Sequence, residues 1–139
     1  MDTVDPVLRA PMPSPEPGAA VERALQHGVV GLAGGPDEAT TRRVERFAGH
    51  PVGTFVWTRD VEGALYLGRV TGDLRDDPAG SEVMLDHVRD CDWLPQPVPD
   101  PDVPAAVRQT FARGGRNLQQ IHPGDVERLT ADLWQRLAR

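Results

Sequence analysis

Trp57, Asp60, Tyr66 and Arg69 place two aromatic rings, a carboxylate and a guanidinium in one short stretch. A planar heterocycle needs this set: ring faces to stack on and polar groups to meet its edge. Trp93 adds a third large ring further on. Taken singly, each ring serves equally well to fill a core, and only Tyr66 carries a hydroxyl that needs a partner.

Other chemistry finds little to work with. Serine occurs only at Ser14 and Ser81, with no Gly-x-Ser-x-Gly elbow. The histidines, His27, His50, His87 and His122, have no second metal ligand at helical spacing, and Cys91 has no cysteine partner. Asp86-His87 and Asp90-Cys91-Asp92 offer a general base or an activated thiol, against the plainer reading of a satisfied strand histidine and a buried thiol. Gly31 to Gly35 lacks the lysine of a phosphate loop. The expectation is no catalytic residue, no metal and no cofactor.

The chain has 139 residues, the size of one domain. No apolar run is long enough to span a bilayer, so no membrane partner is expected. The first residues, Met-Asp-Thr-Val-Asp-Pro, do not read as a secretory signal. A lone cysteine fits a reducing, cytoplasmic setting. All 15 basic side chains are arginine, and net charge is −6. Phosphate binding would therefore need a local basic face.

Several elements must position these residues. Residues 1–18 hold five prolines and read as a disordered arm, leaving 19–139 as the single domain. A helix starts near Ser14 or Gly18 and stops at Gly28. Val29 to Ala33 reads as a buried strand closed by Gly34-Gly35-Pro36. Asp37 caps a second helix with Thr40, Val44, Phe47 and Ala48 inward and Arg42, Arg43 and Arg46 outward. Residues 54–58 and 64–71 alternate as the arms of a hairpin, in which Arg69 falls on the face of Leu65 and Leu67. Gly68 marks a bend or a close approach. Residues 73–81 read as a mobile loop, and 84–93 as a strand with a bulge. Asp102 caps a helix carrying Val103, Val107 and Phe111. Leu118 to Ile121 is a short strand, and Asp125 caps a last helix striped by Val126, Leu129, Leu133 and Leu137 beside Trp134. The fold class is α+β, a small curved antiparallel β-barrel with flanking helices.

Four pieces then fall in a familiar order: Leu25-Gln-His-Gly-Val-Val-Gly-Leu-Ala-Gly, Pro51-Val-Gly-Thr-Phe-Val-Trp, Tyr66-Leu-Gly-Arg-Val-Thr-Gly and His87-Val-Arg-Asp-Cys-Asp-Trp-Leu. Across residues 20–122 the chain resembles the PUA-like domains of the EVE and YTH type, as attached to modification-dependent restriction enzymes. Leu32-Ala33-Gly34 stands where that family often has Gly-Trp-Gly, and Val52-Gly53-Thr54 where it has Val-Gly-Asp. The resemblance implies a barrel that takes a modified or flipped nucleobase of DNA or RNA into an aromatic pocket. Trp57 and Tyr66 would then stack, Asp60 and Arg69 would meet base edges, and Arg42, Arg43, Arg46 and Arg59 would contact phosphate. Any cleavage in phage defence would fall to a partner nuclease. Two further classes stay open: an adaptor subunit that keeps the fold without the ligand, and a small hydrolase or transferase using His87.

Overall fold

The computed structural model describes residues 4–138. Its elements run β1 (Val7–Arg9), α1 (Ala19–His27), β2 (Val29–Leu32), α2 (Glu38–Gly49), β3 (Phe55–Arg59), β4 (Leu65–Val70), β5 (Arg75–Asp76), β6 (His87–Trp93), α3 (Ala105–Arg113), β7 (Gln119–Gln120) and α4 (Val126–Leu137), with short 3-10 turns at Pro78–Val83 and Asp100–Asp102. The strands form one sheet in the order β2-β6-β4-β3-β1-β7, with β5 added on β6. The helices flank it, and the α+β reading holds.

The sheet is mixed rather than wholly antiparallel, because β1 runs parallel to β3. It is also open. Asn117 spans the gap between its ends, donating through Nδ2 to the Gly31 carbonyl of β2 at 3.0 Å and accepting from the Met12 amide at 3.1 Å.

The β3–β4 hairpin forms as its alternation predicts, with Phe55 opposite Arg69 and Trp57 opposite Leu67. Successive side chains leave opposite faces, so the sheet separates two cores. Phe55, Trp57, Leu65 and Leu67 pack with Val7 against Val107 and Phe111 of α3 and Val126 and Leu133 of α4. Leu8, Val56, Val70 and Val88 pack on the other face against Ala20, Val21 and Ala24 of α1 and Phe47 of α2. Gly68 makes room on that second face, where an added Cβ would lie 2.6 Å from Cys91 Sγ and from a Trp93 ring carbon.

The amino-terminal arm, expected to be disordered over residues 1–18, is built into the sheet through residues 7–9. Val7, Leu8 and Arg9 form a buried strand between β3 and β7. The prolines bracket this strand instead of interrupting it. Pro6 supplies a carbonyl to the Phe55 amide, and the Val7 and Arg9 carbonyls accept from the Ile121 and Leu118 amides. No donor that a proline would lack is required.

Other boundaries shift for local reasons. Residues 73–81 hold β5 and most of the Pro78–Val83 turn, and Asp77 is paired with Arg23 at 3.2 Å. No bulge interrupts β6. Residues 87–90 pair with β2 and 91–93 with β4, so one strand changes partner along its length. Met84 lies before it, at φ 66°. Pro104, not Asp102, sits at the start of α3, and Asp125 at φ 57° gives α4 no side-chain cap. The inward stripe of α4 is Val126, Thr130 and Leu133, because Thr130 accepts from the Trp57 indole. Leu129 and Leu137 lie at 39% and 37% exposure, and Ala48 of α2 is exposed.

This rotation of α4 has a measurable consequence. Leu133→Ala should cost about 2–5 kcal/mol, as buried leucine truncations do. Leu129→Ala should stay within about 0.5 kcal/mol, as surface changes do. Urea unfolding of the two variants checks both values.

Candidate nucleic-acid interface

Helix α2 is held at both ends. At its start the Asp37 side chain accepts from the Thr40 amide at 3.0 Å. Hydrogen bonds from Thr40 hold the Asp37 carboxyl below its ordinary range. At its end the buried Arg89 guanidinium donates to the Phe47 carbonyl at 3.0 Å and, through the same Nη1, to that of His50. Only Phe47 of α2 is fully buried. Arg42, Arg43 and Arg46 are consequently exposed together.

A fourth cation joins them. Gly114, at φ 86°, lets the chain turn sharply after α3, and Arg116 arrives beside α2. Arg42, Arg43, Arg46 and Arg116 line one hollow of about 350 Å3. Arg43, Arg46 and Arg116 border a second of about 200 Å3 with His50 and Gln119. None of the four forms an ion pair among the described residues. An acidic chain thus carries a local basic face.

Arg43 also borders a cleft of about 280 Å3. Leu32, Ala33, Gly34 and Gly35 from the β2–α2 connection line it together with Pro13, Met84, Asn117, Asp37 and Thr40. Gly34 forms part of the wall because nothing larger fits: a Cβ there would strike the His87 ring. The Asp86 carboxylate fixes this wall, accepting from the Gly34 amide at 2.8 Å and pairing with His87 Nδ1 at 2.8 Å. Partial burial pushes the Asp86 carboxyl up, but the bonds from Gly34 and His87 outweigh it and leave the group below its ordinary range. The cleft offers aliphatic and thioether surface with one cation, Arg43, beside it. No aromatic side chain lines it.

The expected base-binding residues are elsewhere. Trp57 is fully buried, with its indole donating to Thr130 Oγ1 at 3.3 Å. It cannot stack on a ligand. Tyr66 is half-buried and pairs with Thr58, so it projects from the opposite face and cannot sandwich a ring with Trp57. Arg69 is committed to Asp5 at 2.7 Å and to the Gly53 carbonyl at 3.0 Å, with its guanidinium over the Phe55 ring. Asp60 Oδ1 accepts from the amides of Glu62 and Ala64 at 3.0 and 2.9 Å and holds the hairpin turn. Trp93 donates to the Val29 carbonyl at 2.9 Å. Trp57, Arg69, Asp60 and Trp93 are thus each committed to a partner within the fold.

Of the expected phosphate contacts, the structure brings Arg42, Arg43 and Arg46 together and sets Arg59 apart, over the Phe111 ring. His87 braces Gly34, with Asp76 3.7 Å from its Nε2. Cys91 is buried, and burial pushes its thiol well up, against the reactive form. Arg116, Asn117 and Met84 carry no signal in the sequence. They follow a glycine stop or a loop and enter the site only through tertiary packing.

No family model and no curated protein matches this sequence. Among solved structures, the fold is similar to the YTH domain of the Zygosaccharomyces rouxii MRB1 protein, determined in complex with N6-methyladenosine RNA. The TM-score is 0.56 at 14% identity, over 97% of this chain and 91% of that one. The fold is therefore YTH-like, as the resemblance implied. That likeness does not extend to a restriction-enzyme setting.

His50 gives this face a pH dependence. Burial, then Arg89 and Arg46, lower its pKa. A lowered histidine pKa means that the folded state binds fewer protons than the unfolded one, so stability falls as pH drops below the ordinary histidine value of about 6.5. Melting temperature should decline from pH 7 to 5, less steeply in His50→Gln. The His50 ring should titrate below the ordinary histidine value by NMR.

Proposed function

We propose that this chain is a binding module for single-stranded nucleic acid that takes one base, carrying a small modification such as a methyl group, into the cleft between the β2–α2 connection and Met84. The strand's phosphates lie along Arg42, Arg43, Arg46 and Arg116. One observation carries the reading: four arginines without ion-pair partners among the described residues gather in one hollow, and one of them, Arg43, also borders a cleft that suits a flat ring. The YTH-like fold supports it, since the similar domain was solved with N6-methyladenosine RNA. Leu32, Ala33 and Met84 would meet the added methyl group, and apolar contact favours it over a bare amine.

Net charge −6 and a cleft without an aromatic ring favour a rival, an adaptor that keeps the fold for a protein partner. Titration by fluorescence anisotropy separates the two. Short RNA and DNA strands, plain or carrying N6-methyladenine or 5-methylcytosine, are compared at two salt concentrations. Each of Arg43→Ala and Arg46→Ala should weaken all strands alike and reduce the salt slope by about 0.7, the value for one phosphate of a single strand. Met84→Ala should lower the preference for the modified strand, and Tyr66→Ala should leave it intact. No binding at low salt, or a salt slope indifferent to both arginines, would leave the adaptor standing.

A further inference from the structure

Among the described residues two arginines are buried, and their environments are opposite. Arg89, at 1% exposure, has three carbonyl partners, those of Phe47, His50 and Gly72. Arg9, at 3% exposure, has none, and its Nε and Nη1 are enclosed without a hydrogen bond. Buried polar groups are nearly always bonded, and a buried charge left unpaired is costly. Such an exception needs a reason.

The surroundings of Arg9 supply one. Its Cζ lies 5.3 Å from the centre of the Phe111 ring, and the Cζ of Arg59 lies 5.5 Å from the same centre. Burial lowers the Arg9 pKa, and Arg113 and Arg59 lower it further by repulsion. None of these three cations has a carboxylate in ion-pair contact among the described residues. The fold packs them together all the same. Gly115 permits it, because a Cβ there would strike the Arg9 guanidinium.

Arg9, Arg59 and Phe111 line a cavity of about 580 Å3, twice the size of the base cleft. The carboxylates on its wall, Asp60 and Glu62, form no ion pair with these cations among the described residues, and Oδ1 of Asp60 is held by the turn amides. Guanidinium groups present forked donors that match a phosphate. Pro13 borders both this cavity and the base cleft.

We propose that the cavity beneath the β3–β4 turn is a second ligand site that takes a phosphate group between Arg9 and Arg59. The phosphate comes either from the strand that fills the base cleft, passing over Pro13, or from a free phosphate compound. Only the first source rests on the function proposed above.

Thermal unfolding with inorganic phosphate, against sodium chloride of equal ionic strength, tests the site without any nucleic acid. The wild-type Tm should rise saturably by about 2–4 °C. Arg9→Met, which fills the same space without charge, should abolish the rise. Arg59→Gln, at an exposed position where folding is safe, should weaken phosphate binding several-fold. Oligonucleotide titration of Arg9→Met then identifies the source. A tenfold or larger loss assigns the site to the strand, and unchanged affinity assigns it to a free phosphate compound. No saturable rise above chloride in the wild type, or a full rise in both variants, overturns the site.

Discussion

The Arg89 guanidinium is the contact on which the rest of this structure depends. From β6 it reaches the last turn of α2 and the loop after β4, donating to carbonyls of Phe47, His50 and Gly72. Those carbonyls lie at a helix end and a loop, where the regular ladder leaves acceptors over, and that of Phe47 also takes the His50 amide. Hydrogen bonds from a charged donor contribute about 1.5–3 kcal/mol each. Burial pulls the Arg89 pKa down while Asp73 pushes it back, and a guanidinium in protein keeps its proton regardless. One side chain therefore fixes where α2 ends and which of its faces meets solvent. The arginine face and the seat of His50 follow from it.

The hairpin sets a second constraint through parity. Adjacent residues on a strand belong to opposite faces, and here both faces are covered. Phe55 and Trp57 serve the core under α3 and α4, while Val56 and Val70 serve the core under α1 and α2. A chain with three phenylalanines, three tryptophans and one tyrosine has few rings for two cores. The aromatic residues were consequently drawn inward, and the cleft is lined by leucine, alanine, methionine and proline instead.

Much of the fold was legible for this same reason. Period-2 runs at 55–59 and 65–70, the Asp37 cap and the Gly28 stop are local signals, and local hydrogen bonds decide those elements. The strand at Val7–Arg9 was not legible. Its hydrogen bonds go to residues far along the chain, and the prolines beside it suggested that no strand forms. The candidate site divides in the same way. Arg42, Arg43 and Arg46 share a helix face that spacing alone reveals, whereas Arg116 and Asn117 reach it through a turn with no pattern of its own. Trp57, Tyr66, Asp60 and Arg69 were grouped because they are close in sequence. Parity and turn geometry then sent them to different tasks.

The two buried arginines show how composition can mislead about partners. A net charge of −6 argues against a polyanion only if the acids sit beside the bases. Here many do not. Asp37, Asp60 and Asp86 spend hydrogen-bonding capacity on backbone amides of a helix start, a turn and a glycine loop. Arg42, Arg43, Arg46 and Arg116 on one side, and Arg9 and Arg59 on the other, are left without ion-pair partners among the described residues. Hydrogen bonds from amides favour the ionised carboxylate and fix where it stands, so a residue count cannot show which arginines remain unpaired. The acidic total and the two basic hollows are consistent, because several of the carboxylates are already occupied in holding the loops that shape those hollows.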